Sequence, residues 1–317
     1  MRNIQHIILI LITVVILILP GCTQDRTQLE WKQVNSGTDK HLYGVNFIDG
    51  KLGWAVGSNG FVLSSKDGGN TWMETGKIAQ LSDTLTQVSF TTHKNGWVVS
   101  IGKVHYTGSG GNSWVVQHHE RSSVGKSPGI LDIHFVTKSE GWVVGGFGTV
   151  LHTQNGGGKW EKINTSSEKH LWGVYFADPK HGWIVGEDSE ILHTQDGGKQ
   201  WIRQETDAEQ PLFAVYFVDL MKGWIVGTNG LILNTEDGGQ TWNRQKNSFK
   251  GSLRDVAFSN ETEGWVIGEE GAILHTTDGG ITWIRIASPT AYNLQDIHLN
   301  KKSGWIVGEK GTILKLN

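Results

Sequence analysis

Seven hexapeptides along the chain carry apolar residues at their fourth and sixth positions: Leu42 to Phe47, Leu85 to Phe90, Ile130 to Phe135, Leu171 to Phe176, Leu212 to Phe217, Leu253 to Phe258 and Leu294 to Leu299. A two-residue period over so short a run marks a strand with one buried face. Each is followed by Gly-Trp and a short, mostly β-branched run, with the Trp at positions 54, 97, 142, 183, 224, 265 and 305, in steps of 43, 45, 41, 41, 41 and 40 residues. That run predicts a second strand. Tight turns such as Ser58-Asn59-Gly60 and Thr228-Asn229-Gly230 then lead to a third, read in the fifth unit as Leu231 to Asn234. Asn-Gly suits a two-residue hairpin because both central residues need positive φ. A fourth strand carries a second Trp, at Trp72, Trp114, Trp160, Trp201, Trp242 and Trp283. Four strands in each of seven units predict an all-β chain, a seven-bladed β-propeller of four-stranded blades over residues 30–317.

The seventh unit reaches Asn317 without a second Trp, and Trp31 supplies one. It lies 41 residues before Trp72, in Trp31-Lys32-Gln33-Val34, which matches Trp201-Ile202-Arg203-Gln204. The strand around Trp31 is therefore expected to pair in the last blade and close the ring, which removes the open edges a solenoid would carry.

Between third and fourth strands runs Ser65-Lys66-Asp67-Gly68-Gly69-Asn70-Thr71-Trp72, repeated over 194–201, 235–242 and 276–283. This resembles the Asp-box of bacterial sialidases and related propellers. An Asp can accept hydrogen bonds from turn amides, the glycines admit left-handed φ, and the Trp plugs between sheets. Asp67, Asp196, Asp237 and Asp278 are accordingly read as structural, with Ser109 and Asn155 in their place in two other copies.

Composition narrows the picture. Forty-three glycines and five prolines suit many hairpins, and 28 basic against 31 acidic residues give no reason to expect a nucleic-acid partner. His152, His193 and His275 share one repeat position, and His41 and His170 another, so they are read as parts of the repeat and no metal site is expected. No cofactor motif is present either, since the Gly-Gly pairs all lie in turns of the repeat, Gly145-Gly146 at the end of a second strand and the others before a second Trp. Residues 1–21 form an apolar run, Ile7 to Leu19, too short to span a bilayer comfortably and suited to a secretory signal. Cys22, the lone cysteine, follows Leu19-Pro20-Gly21 as in a bacterial lipobox. The expectation is a lipid on Cys22, a polar tether over 22–29, and an extracytoplasmic, membrane-anchored propeller at the periplasmic or cell surface.

Binding residues are sought where repeat-equivalent positions vary, because there the scaffold does not dictate the side chain. The second and third positions of the inner strands give a candidate mouth: Tyr43, Asp132, Trp172, Phe213, Arg254, Asp255 and Asp296. Trp172, Phe213 and Tyr43 would offer an aromatic surface to a peptide or a sugar. A longer connection after Trp114 gives a candidate partner loop of His118, His119, Glu120 and Arg121. Two residues after the second Trp, Lys162, Arg203, Arg244 and Arg285 give a candidate basic rim, read also as charge that protects exposed edge strands.

The whole repeat spans residues 31–317. One copy reads Gly182-Trp183-Ile184-Val185-Gly186, then Ile191-Leu192-His193-Thr194-Gln195-Asp196-Gly197-Gly198, then Trp201. It resembles the photosystem II stability and assembly factor family. That resemblance implies an extracytoplasmic propeller, lipid-anchored in cyanobacteria, that binds a reaction-centre subunit during assembly and catalyses nothing. The chain is accordingly read as a monomeric, non-enzymatic scaffold for a protein partner in or at a membrane. The alternative is an Asp-box glycoside hydrolase or a glycan-binding lipoprotein. Asp255 and Asp296 would then face each other as acid and base, roughly 5 to 9.5 Å apart, with Asp132 across the mouth. The arginine triad of sialidases is absent, since Arg254 stands alone at the mouth.

Overall fold

The computed structural model describes residues 29–76, 78, 83–120, 129–301 and 303–316. Residues 1–21, Cys22 with the tether up to 28, and Arg121 lie outside the described residues. Among those described, 28 strands form seven antiparallel sheets of four. The inner strands occupy the seven hexapeptides identified by periodicity. Each second strand begins at its Gly-Trp and is buried along its whole length. The third strand of blade five starts one residue later than the turn suggested, at Ile232–Thr235. The turns before the third strands do hold two left-handed residues, as at Asn59 (φ 59°) with Gly60 (φ 66°) and Asn229 (φ 58°) with Gly230 (φ 68°).

Closure takes the expected form. Trp31–Val34 pairs antiparallel with Ile313–Leu316, Trp31 opposite Leu316 and Val34 opposite Ile313, as the outer strand of the seventh sheet.

The blades are joined by aromatic stacking. In six of the seven blades the Trp of the Gly-Trp lies flat on the sixth-position Phe of the next blade, with ring centroids 3.5 Å apart for Trp54 and Phe90, 3.6 Å for Trp183 and Phe217, and 3.6 Å for Trp305 and Phe47. The Gly beside each such Trp leaves room for its own blade's sixth-position ring, so a Cβ at Gly53 would enter the Phe47 ring. The Asp-box Trp meets the same Phe edge-on, as Trp72 does Phe47 at 5.7 Å. At the junction of blades six and seven the Phe is replaced by Leu299. There Trp265 meets Trp31 edge-on at 5.4 Å. Large aromatic side chains bury roughly 150–250 Å² each, so these junctions dominate the packing energy.

In the Asp-box turns, Asp67 Oδ1 accepts from the amides of Asn70 (3.0 Å) and Thr71 (2.9 Å) and from the Ser65 hydroxyl (2.9 Å). The Thr71 hydroxyl donates to Oδ2, and these bonds lower the Asp67 carboxyl to about 2. Asp237 and Asp278 repeat the pattern with Thr241 and Thr282, and Asp196 with the Gln200 amide. His152, His193 and His275 lie flat on Trp142, Trp183 and Trp265, at 3.8, 4.7 and 3.8 Å.

The turns sort onto two faces. Asp-box amides bond to the hairpin between first and second strands, as Gly68 does to the Lys51 carbonyl, whereas the turns between second and third strands bond to the connections between blades, as Ser58 does to His41 and Gly60 to Asp83.

Candidate binding mouth and central channel

A β-bulge opens every inner strand. Leu42 opposes Gly57 and Gly44 opposes Val56, which leaves Tyr43 as the extra residue; the same step occurs at Thr86, Leu131, Trp172, Phe213, Arg254 and Gln295. A bulge re-aims side chains. Second- and third-position residues therefore line one cavity of about 240 Å³, instead of alternating between faces. All seven mouth candidates, Tyr43, Asp132, Trp172, Phe213, Arg254, Asp255 and Asp296, line it. The bulge explains the last Gly of Gly-Trp-x-x-Gly: at Gly57, Gly186 and Gly268 a Cβ would collide with the carbonyl of the residue before the inner strand. A residue without a side chain lets the two backbones come so close, and in blade two Ser100 takes the position opposite Leu85.

At the rim, Trp172 and Phe213 are 5.2 Å apart, and the Arg254 guanidinium lies 4.7 Å over the Phe213 ring. Arg254 is also paired with Glu269 at 2.6 Å. The aromatic ring system and the cation thus form one continuous half-exposed surface.

Beneath it the third and fifth positions latch six of the blades to the next, and the second-position Thr86 latches blade two to blade three. Asp132 accepts from the amides of Ile133 and Val174 (both 2.8 Å), and Asp255 from those of Val256 (2.8 Å) and Ile297 (2.9 Å). Asp296 accepts from the Val45 amide at 2.6 Å and so fastens blade seven to blade one. Two positions on, Tyr175 and Tyr216 donate to the carbonyls of Phe217 (2.8 Å) and Phe258 (2.9 Å), and His134 to that of Phe176 (3.2 Å). Asn46 accepts from the Phe90 amide (3.0 Å), and Thr86 donates to the Ile130 carbonyl (3.2 Å). Every one of the seven junctions carries such a latch. The fifth-position ring lines a further channel space of about 350 Å³ and was not singled out from the sequence.

Asp255 and Asp296 lie close enough together in the mouth that each perturbs the titration of the other. Burial raises all three acids. Asp132 is pushed up to about 7, and Asp255 rises well above its usual range by burial and then by the neighbouring Asp296.

Folded Asp132 therefore holds its proton to higher pH than the unfolded chain. Its contribution to stability is complete below about 4 and is lost as pH rises through about 7. Burial drops His134 and His298 to about 4, so their contribution is complete above about 6.5 and is lost as pH falls through about 4. The two windows overlap, and a difference measurement separates them. Thermal unfolding of Asp132→Asn beside the parent is expected to show a deficit in Tm that is largest near pH 4 and shrinks steadily to pH 8. A deficit constant with pH contradicts the assignment.

The other candidates fall elsewhere. His118 and His119 are not in a loop: the insertion extends the outer strand of blade two to Val115–His119, which keeps pairing with Lys103–Thr107. Its end meets the rim, where Glu120 binds both His118 (3.1 Å) and Lys162 of blade three (3.2 Å). Lys162, Arg203, Arg244 and Arg285 stand at equivalent register positions on four consecutive outer strands. All four are engaged: Lys162 with Glu120 of blade two, Arg203 with the buried Glu190 (2.7 Å), Arg244 with Gln210 (3.2 Å), and Arg285 over the Phe249 ring (5.2 Å).

The sequence profile of the family described as photosynthesis system II assembly factor YCF48 matches residues 23–117, 77–173, 115–205, 158–251, 199–288 and 245–317. The "Photosystem II assembly lipoprotein Ycf48" of Prochlorococcus marinus (strain NATL2A) is 36% identical over 70 residues, which is 21% of this chain and 21% of that protein. YCF48 from Cyanidioschyzon merolae is 22% identical with a TM-score of 0.74, over 90% of this chain and 98% of its own. A structure of YCF48 bound to D1 peptide is 22% identical with a TM-score of 0.76, over 90% of this chain and 94% of its own. At such identity the solved structures share the fold.

Proposed function

From the premise that this chain belongs to the family of photosynthesis system II assembly factor YCF48, we propose that it is a non-catalytic scaffold that seats a segment of a membrane-associated protein in its mouth. The observation that carries this reading is the continuous surface of Trp172, Phe213 and Arg254 at the rim of one open cavity of about 240 Å³. Aromatic and arginine side chains clustered over a pocket are the usual hot spots of protein interfaces. A solved relative bound to a D1 peptide supports a protein segment as the occupant.

Two further features support the absence of catalysis and the placement of the protein. The mouth carboxylates serve as latches to backbone amides, which suits a rigid frame more than proton transfer. The lipobox-like segment supports a lipid on Cys22 and an extracytoplasmic site, in keeping with a relative that is called a lipoprotein. In this account the basic rim braces the outer strands through Glu120, Glu190 and Gln210, and the docking surface is the mouth.

Trp172→Ala and Phe213→Ala are each expected to reduce the partner co-purified from native membranes by about tenfold or more, the loss typical of a hot spot. Their unfolding temperatures should stay close to the parent's, since both side chains are half-exposed. Undiminished recovery with both variants contradicts a docking role for the mouth.

A further inference from the structure

Asp132, Asp255 and Asp296 converge on one small cavity, and among the described residues none of them lies within ion-pairing distance of a Lys, Arg or His. Arg254, the cation at the mouth, is turned to Glu269 and the face of Phe213. Below the acids, His134 is bonded to the Phe176 carbonyl, and both it and His298 are held neutral by burial. Three carboxyls thus share a confined space with no positive charge to balance them. The walls above are Tyr43, Trp172 and Phe213, and ring faces attract cations. No group of three His, Cys, Asp or Glu among the described residues has the geometry to hold a metal ion.

We infer that the mouth selects a partner segment by one inserted cationic side chain of the lysine kind, whose stem lies against the aromatic walls and whose ammonium reaches the three carboxyls. The inference rests on the mouth being the docking site and adds the chemistry of what enters it. A stem of four methylenes covers apolar wall while its charged head stays polar-bound. A cavity of about 240 Å³ suits one side chain and excludes a folded domain. The inserted charge replaces the protons that the crowded acids otherwise retain, so binding should release protons. Arg254 with Glu269, and the neutral His134 and His298 beneath, are the other ionisable groups facing this space.

The test uses three acetylated, amidated pentapeptides, Gly-Gly-X-Gly-Gly, with X as lysine, norleucine or glutamate, titrated calorimetrically into the intact protein. Lysine is expected to bind about tenfold or more tighter than norleucine, the ratio of one favourable charge contact. Glutamate should bind most weakly. At pH 6 the heat of lysine binding should vary with the ionisation heat of the buffer, which reports proton release. Trp172→Leu, which preserves the carboxyls, should narrow the lysine preference. Equal binding of lysine and norleucine, preference for glutamate, or no binding of any peptide would each overturn the inference. The peptide series reads charge preference on the unaltered protein, whereas co-purification reads whether the mouth docks a partner at all, so the two can fail separately.

Discussion

Trp31→Ala is expected to destabilise the folded ring by about 3–5 kcal/mol, the range for emptying a buried large aromatic site. Trp31 is 2% exposed, meets Trp265 edge-on at 5.4 Å, and opens the strand that completes the seventh sheet. Trp265 has no stacked Phe partner, because Leu299 holds the sixth position of the next blade, so the cavity would open where the junction is least reinforced. Small domains have only about 5–15 kcal/mol of total stability, so this loss would be a large share of it. The mechanism also predicts the pattern of rescue. Trp31→Phe should recover part of the loss, whereas Lys32→Ala, on the exposed side of the same strand, should change stability by less than about 0.5 kcal/mol. Urea unfolding followed by far-ultraviolet circular dichroism measures all three. A Trp31→Ala cost below about 1 kcal/mol would mean that the amino-terminal strand merely lies against the ring.

Gly198→Ala should be comparably harmful for a different reason. Gly198 has φ +79°, and a Cβ there would fall inside the Trp142 ring, which is fully buried and stacked on Phe176 at 4.5 Å. Left-handed strain and overpacking each cost about 1–3 kcal/mol, so together they should remove roughly 2–6 kcal/mol. Its neighbour separates the two causes. Gly197 has φ +72° but meets only the Pro179 carbonyl, at 3.0 Å from the added carbon. Gly197→Ala should therefore show mainly the backbone component, about 1–3 kcal/mol. Equal losses at the two sites would mean that the Trp142 ring yields readily and that aromatic packing is not what joins the blades.

What could be read from the chain, and what could not, follows from the geometry of a propeller blade. Residues at the fourth and sixth positions of the inner strand enter the junction between blades, so their apolarity appears directly as periodicity, and all seven strand boundaries were legible. Closure was legible because the second Trp missing from the last unit reappears at Trp31. The bulge was not, since a one-residue offset between partners leaves the apolar pattern unchanged. Its trace was present in the Gly that ends each Gly-Trp-x-x-Gly, as at Gly57 and Gly186, which only close backbone approach explains. The latches were hidden for another reason. Asp132 with Val174 and Asp255 with Ile297 are contacts one repeat length apart, and Asp296 with Val45 joins the last repeat to the first; such spacings look the same whether or not two residues touch. The length added after Trp114 was visible, but its use as a longer outer strand depends on pairing with Lys103–Thr107, which no local pattern encodes.

The central claim is that a partner segment enters the face opposite the Asp-box turns. It is tested most directly by placing the photo-crosslinking residue benzoylphenylalanine at position 213 of the mouth and, in a second protein, at Lys199 on an exposed Asp-box turn, then irradiating each in native membranes and identifying the adducts by mass spectrometry. The account predicts one recurrent membrane-associated protein, cross-linked through a single contiguous segment, from position 213 and none from position 199. The same adducts from both positions, or adducts from position 199 alone, would contradict it.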